Sequence, residues 1–149
     1  MGCSAGAHRG PGSDHARRAR RGVTGTRGGA GAGLLLQERK PSGIDAQVAA
    51  RLLERQQRPR PLLAAGRALV AAGVTAMIDV SDGVASDALR LCEQSAVGID
   101  VHLESLPVEE GVGDVATAVR VDPVEIAVAA DEDYELLFTA PADRRDAIE

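Results

Sequence analysis

The chain has 149 residues, 44% hydrophobic and 1% aromatic, which suits one ordinary domain, argues against two, and leaves packing to Leu, Val, Ile and Ala. Its net charge of −5 divides unevenly, with 12 Lys and Arg against 4 Asp and Glu in residues 1–61, and 5 against 18 in residues 62–149. The basic part lacks interleaved aromatics, which argues against nucleic acid; the acidic part favours cations; and no run reaches the roughly 18 apolar residues of a membrane span.

Residues 1–21, with Arg17, Arg18, Arg20 and Arg21 among glycines and alanines, cannot form a core and read as a disordered basic tail. They hold no apolar signal core, and Gly6 stands where a myristoylation signal needs Ser or Thr. Cys3 and Cys92 have neither metal nor redox spacing, so reduced thiols in a cytoplasmic protein are expected. Residues 22–36, GVTGTRGGAGAGLLL, read either as a Gly-rich turn that lets backbone approach phosphate or as a flexible linker; they match neither a Walker loop nor GxGxxG. Ile44, Val48, Leu52 and Leu53 recur at helical spacing until Pro59 and Pro61 stop them. Residues 22–61 are therefore expected to form a turn and a helical connector, ahead of an α/β domain over 62–149.

In that domain Leu62, Ala65, Leu69 and Ala72 predict a helix closed by Gly73. The run VTAMI, 74–78, predicts a strand that feeds directly into Asp79-Val80-Ser81-Asp82-Gly83. Val84, Ala88, Leu91, Cys92 and Ser95 trace one helical face, which Gly98 ends. Ile99, Val101 and Leu103 alternate with Asp100 and His102, predicting a strand with His102 facing solvent. Residues 104–121 read as a loop with at most one short helix, and Asp122 caps a further helix from Pro123 through Val128. Tyr134–Thr139 predicts a buried strand, and Pro141 opens a last helix.

Chemistry concentrates at two places. Asp79, Ser81 and Asp82 put two carboxylates and a hydroxyl where a strand gives way to a helix, hard oxygen ligands of the kind Mg²⁺ combines with water and phosphate. A helix cap would account for one of these side chains but not for all. A calcium loop is excluded, because Gly83 falls a position too early. The second place is Asp131-Glu132-Asp133-Tyr134-Glu135. It reads either as a solvated acidic turn or as a group whose mutual repulsion is offset by a cationic substrate or a metal.

The segments AMIDVSDGVASD (76–87) and DEDYELLFT (131–139), with GVTGTRG (22–28), RPRPLLAAGRAL (58–69) and IDVHLESLP (99–107), resemble the thiamine-monophosphate kinase family in order and spacing. The chain departs from the family pattern at Arg27, in place of Leu, at Leu62, in place of Arg, and at Ala130-Asp131, in place of a glycine pair.

This resemblance implies the second domain of an aminoimidazole-ribonucleotide-synthetase-like fold, truncated: an α/β, or α+β sandwich, arrangement with a mixed sheet covered by helices. It implies transfer of the ATP γ-phosphate to thiamine monophosphate, with Mg²⁺ as cofactor, in a site shared by two domains of an enzyme that pairs as a homodimer. By the same likeness Asp79 and Asp82 are magnesium ligands, Ser81 is a nucleotide contact, and Glu132 and Asp133 meet thiamine phosphate. The chain alone is then expected to be inactive. Two other readings stay open: another ATP-using enzyme of the same fold, and a non-catalytic acidic module that binds a metal or a partner chain.

Overall fold

A computed structural model describes residues 20–95, 101–129 and 132–148. Strand β1 (Arg20–Val23) leads into helix α1 (Gly29–Arg39) and helix α2 (Ala46–Gln57). Helix α3 (Leu63–Ala72), strand β2 (Ala76–Asp79) and helix α4 (Val84–Ser95) follow. After a single 3-10 turn at Leu103–Ser105 come α5 (Val112–Val119), α6 (Pro123–Ala129), β3 (Leu136–Ala140) and a last short helix, α7 (Arg145–Ile148).

Several boundaries follow from local chemistry. The Asp45 carboxylate accepts the amides of Gln47 at 2.9 Å and Val48 at 3.1 Å, which caps α2, and Pro59 lies just beyond its end. Gly73 adopts φ 89° and closes α3. Asp122 accepts the Val124 amide at 2.8 Å, and Pro123 starts α6 where a missing N–H costs nothing.

The strands form one antiparallel sheet of order β1-β3-β2, with Gly22 opposite Phe138 and Ile78 opposite Leu137. The parallel component is a single bridge between Arg27 and Val108. The apolar interior has two parts. Ala32 and Leu36 of α1, Leu52 of α2, Val112 and Val115 of α5 and Ile126 of α6 form one. Val80, Val84, Ala88, Leu106 and Leu137 form the other, between the sheet and α4.

The region expected as a turn and connector therefore contributes a strand and two core helices. Glycines hid α1, since each costs about 1 kcal/mol relative to Ala in a helix. They are repaid by proximity: a Cβ on Gly33 would run into the Leu52 carbonyl, so only glycine lets α1 and α2 approach this closely. Residues 1–19 of the expected basic tail lie outside the described residues, whereas Arg20 and Arg21 pair with β3.

The strand expected at 99–103 is a correction. Residues 99 and 100 lie outside the described residues, Val101 and His102 are not in a strand, and the chain turns at Leu103 to carry Leu106 into the core. Strand β3 also starts later than expected, at Leu136, because Glu132 and Tyr134 take φ of 67° and 51° and bend the preceding segment out of an extended path.

Leu52 is fully buried where α1, α2 and α5 meet, so Leu52→Ala is expected to cost about 2–5 kcal/mol in urea unfolding. Gly33→Ala is expected to cost about 1–3 kcal/mol by the same measurement, from overpacking against α2.

Candidate active site

The two acidic segments meet through their backbones. The Val80 amide donates to the Glu135 carbonyl at 2.7 Å, Tyr134 donates to the Val80 carbonyl at 3.0 Å, and Glu132 donates to the Ser81 carbonyl at 3.0 Å. This continues the β2–β3 ladder past Asp79 and lays residues 132–135 alongside 80–81. Glu132 thus stands next to Ser81 although about fifty positions separate them in the chain.

The carboxylates of the second segment divide into an exposed one and two internal ones. Glu132 is exposed. Asp133 is buried: its Oδ2 accepts the Gly28 amide at 2.7 Å, its Oδ1 accepts the Ala30 amide at 3.0 Å, and the Arg27 guanidinium lies 3.3 Å away. Asp133 therefore caps α1 from the far end of the chain, at a helix whose own N-cap, Gly28, has no side chain to do so. Glu135 accepts Thr24 Oγ1 at 2.6 Å and Arg55 Nη2 at 3.1 Å. The repulsion expected among these acids is thus offset from within, by Arg27 and Arg55. Assigning Asp133 to substrate is corrected in this respect: both its oxygens already accept from α1, and its side chain is fully shielded from solvent.

Arg27 is itself unusual. Its side chain is fully buried, and none of its three guanidinium nitrogens has a hydrogen-bond partner among the described residues, the 3.3 Å approach of Nη2 to Asp133 being an ion pair. Burial pushes its pKa down, and the nearby charge of Asp133 opposes that shift. The phosphate-cradling role considered for residues 22–36 also changes, because the Gly28 and Ala30 amides point at Asp133.

At the first segment, Asp79 ends β2 and is exposed, Ser81 is half-buried, and Asp82 is exposed. Asp87, which the sequence reading did not single out, organises the turn between β2 and α4. Its buried Oδ2 accepts the Ser81 amide at 3.0 Å and the Asp82 amide at 3.1 Å. Its Oδ1 accepts Arg90 Nη1 at 2.8 Å, and Arg90 Nη2 makes a short contact with Asp82 Oδ2. That bond from Arg90 holds the Asp82 carboxyl below the usual carboxylate range, so Asp82 is ionised at neutral pH. A sequence signal for Asp87 was present: an acid in the first turn of a helix favours the amides at that end.

The donor set suits a hard cation only in part. Among the described residues no group of three or more His, Cys, Asp and Glu is close enough to hold a metal, so the site is not a closed cage. Two exposed carboxylates, Asp79 and Asp82, match what Mg²⁺ takes from protein when water and phosphate complete its shell.

A cavity of about 370 Å³ opens beside residues 133–135, lined by Arg51, Arg55 and Arg58 of α2 and its end, by Glu109, and by Asp133, Tyr134 and Glu135. The helical spacing of Arg51, Arg55 and Arg58 could have flagged one basic face, which the apolar pattern of α2 overshadowed. No helix among the described residues is long and apolar enough to cross a membrane.

The family described as AIR synthase related protein, C-terminal domain, matches residues 23–149. The chain belongs to this family. Within it, the match is to the C-terminal part of the thiamine-monophosphate kinases. The thiamine-monophosphate kinase of Methanopyrus kandleri is 42% identical over 93 residues, covering 62% of this chain and 30% of the relative. That of Escherichia coli is 35% identical over 130 residues, covering 85% of this chain and 38% of the relative. Among solved structures, AaThiL complexed with AMPPCP and TMP is 28% identical with a TM-score of 0.74, covering 97% of this chain and 41% of that one. The thiamine-monophosphate kinase of Stenotrophomonas maltophilia is 31% identical with a TM-score of 0.76, covering 87% of this chain and 42% of that one. The chain thus spans well under half the length of the relatives it matches.

The Asp133 arrangement is open to direct test by unfolding. Asp133→Ala strands a buried guanidinium and uncaps α1, and is expected to cost about 3–5 kcal/mol in urea unfolding. Arg27→Leu, which restores an apolar residue, is expected to cost less, because both α1 amides still satisfy Asp133. Equal losses in the two variants would contradict the capping role.

Proposed function

We propose that this chain is the C-terminal part of a phosphotransferase that moves the γ-phosphate of ATP to thiamine monophosphate. The observation that carries the reading is the meeting of the two acidic segments, with exposed Asp79, Asp82 and Glu132 around the β2–α4 turn, in a chain of this family. Asp79 and Asp82 would hold Mg²⁺, which supplies charge neutralisation between ATP and a second anion. Ser81 contacts the nucleotide, and Glu132 meets the thiamine phosphate. Asp133 serves the site by holding the turn before α1 and the segment that carries Glu132.

Phosphoryl transfer demands positioning and charge stabilisation more than a proton carrier, and the acceptor phosphate is already ionised at neutral pH. Acidic residues beside a phosphate site then act as cation holders. The cavity beside Tyr134, lined by both guanidinium and carboxylate groups, suits a ligand that carries a cation and a phosphate together, as thiamine monophosphate does. The chain matches only 38% of the Escherichia coli relative, so the remaining ligands of such a site come from elsewhere, in a soluble cytoplasmic enzyme that pairs as a homodimer.

Replacing the matching part of the Escherichia coli relative with this chain tests the reading. The chimera is expected to form thiamine diphosphate from ATP, Mg²⁺ and thiamine monophosphate, and the isolated chain to form none. In the chimera, Asp82→Asn is expected to lower kcat at least about a hundredfold, and Glu132→Gln to raise KM for thiamine monophosphate. A folded chimera without turnover would favour a non-catalytic metal- or partner-binding module.

A further inference from the structure

Arg90 occupies a distinctive position. Its guanidinium bridges two carboxylates: the fully buried Asp87, through Nη1 at 2.8 Å, and the half-exposed Asp82, through Nη2. The two bonds differ in kind. Asp87 is fixed, because its second oxygen accepts the Ser81 and Asp82 amides at 3.0 Å and 3.1 Å and shapes the turn itself. Among the described residues Asp82 is held through its side chain only by the Arg90 contact and a 3.3 Å bond from the Ser81 hydroxyl, and half of it faces solvent.

We propose that Arg90 is a tethered counter-ion that competes with a divalent cation for Asp82. In the metal-free chain the Arg90 guanidinium neutralises Asp82. When a cation arrives, Asp82 transfers to it while Arg90 stays anchored on Asp87. This inference rests on the reading of Asp82 as a metal ligand and adds what sets its affinity. An exposed ion pair is a weak competitor, so the effect is modest: removing it changes metal affinity by about two- to fivefold. The guanidinium has a second consequence. While paired, it neutralises an exposed carboxylate that lies three residues from Asp79 in the same turn.

The test is Mn²⁺ binding to the chimera with the Escherichia coli relative, which supplies the ligands that come from outside this chain, followed by the loss of free-ion electron paramagnetic resonance signal, with folding of every variant checked by circular dichroism. Arg90→Ala is expected to tighten Mn²⁺ binding about two- to fivefold, and Arg90→Lys, a point charge without the fork, to fall between. Arg67→Ala, an exposed arginine on α3, is expected to leave affinity unchanged. A second readout follows the Arg90 Nε–Hε resonance, which Mg²⁺ is expected to shift in the wild-type chain and not in Asp82→Asn. Unchanged or weaker Mn²⁺ binding in folded Arg90→Ala, with binding lost in Asp82→Asn, would overturn the competition while keeping Asp82 as a ligand. Binding in Asp82→Asn equal to wild type, or none in either chain, would overturn the metal reading and the competition with it.

Discussion

The buried Asp133 carboxylate is the constraint on which the rest of the molecule depends. It accepts the first amides of α1, lies beside the buried Arg27, and sits in the segment that continues the sheet past β2. One charged group thereby joins two parts of the chain that are remote in sequence: the turn from β1 into α1, and the approach to β3. The charges are costly to bury singly and tolerable together, because the amides and the guanidinium share the desolvation of one carboxylate. Thr24, Arg55 and Glu135 extend the same logic two residues further along, tying α2 to the segment that enters β3.

With the internal acids committed in this way, the outward-facing ones acquire their meaning. Asp133 and Glu135 serve the architecture, so among the described residues the acids of the two segments that remain exposed are Glu132, Asp79 and Asp82. Their placement is rigid. The Glu132 amide donates to the Ser81 carbonyl and the Ser81 and Asp82 amides donate to the Asp87 carboxylate, which fixes both sides of the turn, and phosphoryl transfer rewards such fixed positions.

One departure from the pattern the sequence resembles, Arg27, is physically coherent with this arrangement. Arg27, standing where the family has Leu, would be an isolated buried cation in a neutral setting; here it sits against Asp133 and near Glu135. The backbone at Arg27 also has its own role, accepting from Glu109 and donating to Pro107, which docks the segment after the 3-10 turn onto the β1–α1 connection. Ala130 and Asp131 lie outside the described residues.

Much of this protein was legible one segment at a time. Helices α2, α3 and α6 announced themselves through apolar spacing and through Asp45, Gly73 and Asp122, because caps and periodicity act within a few residues. The strand that delivers Asp79 to the turn, the two acidic segments and the family were likewise carried by short stretches of sequence. Helix α1 was not, because its glycines argue against a helix until α2 lies against them. Nor were the separate fates of the acids. Whether a carboxylate becomes a cap, as Asp133 does, a turn anchor, as Asp87 does, or stays exposed, as Glu132 does, depends on which amides and guanidinium groups stand around it. For Asp133 those groups come from more than a hundred residues away, a distance over which only the folded chain decides the neighbours.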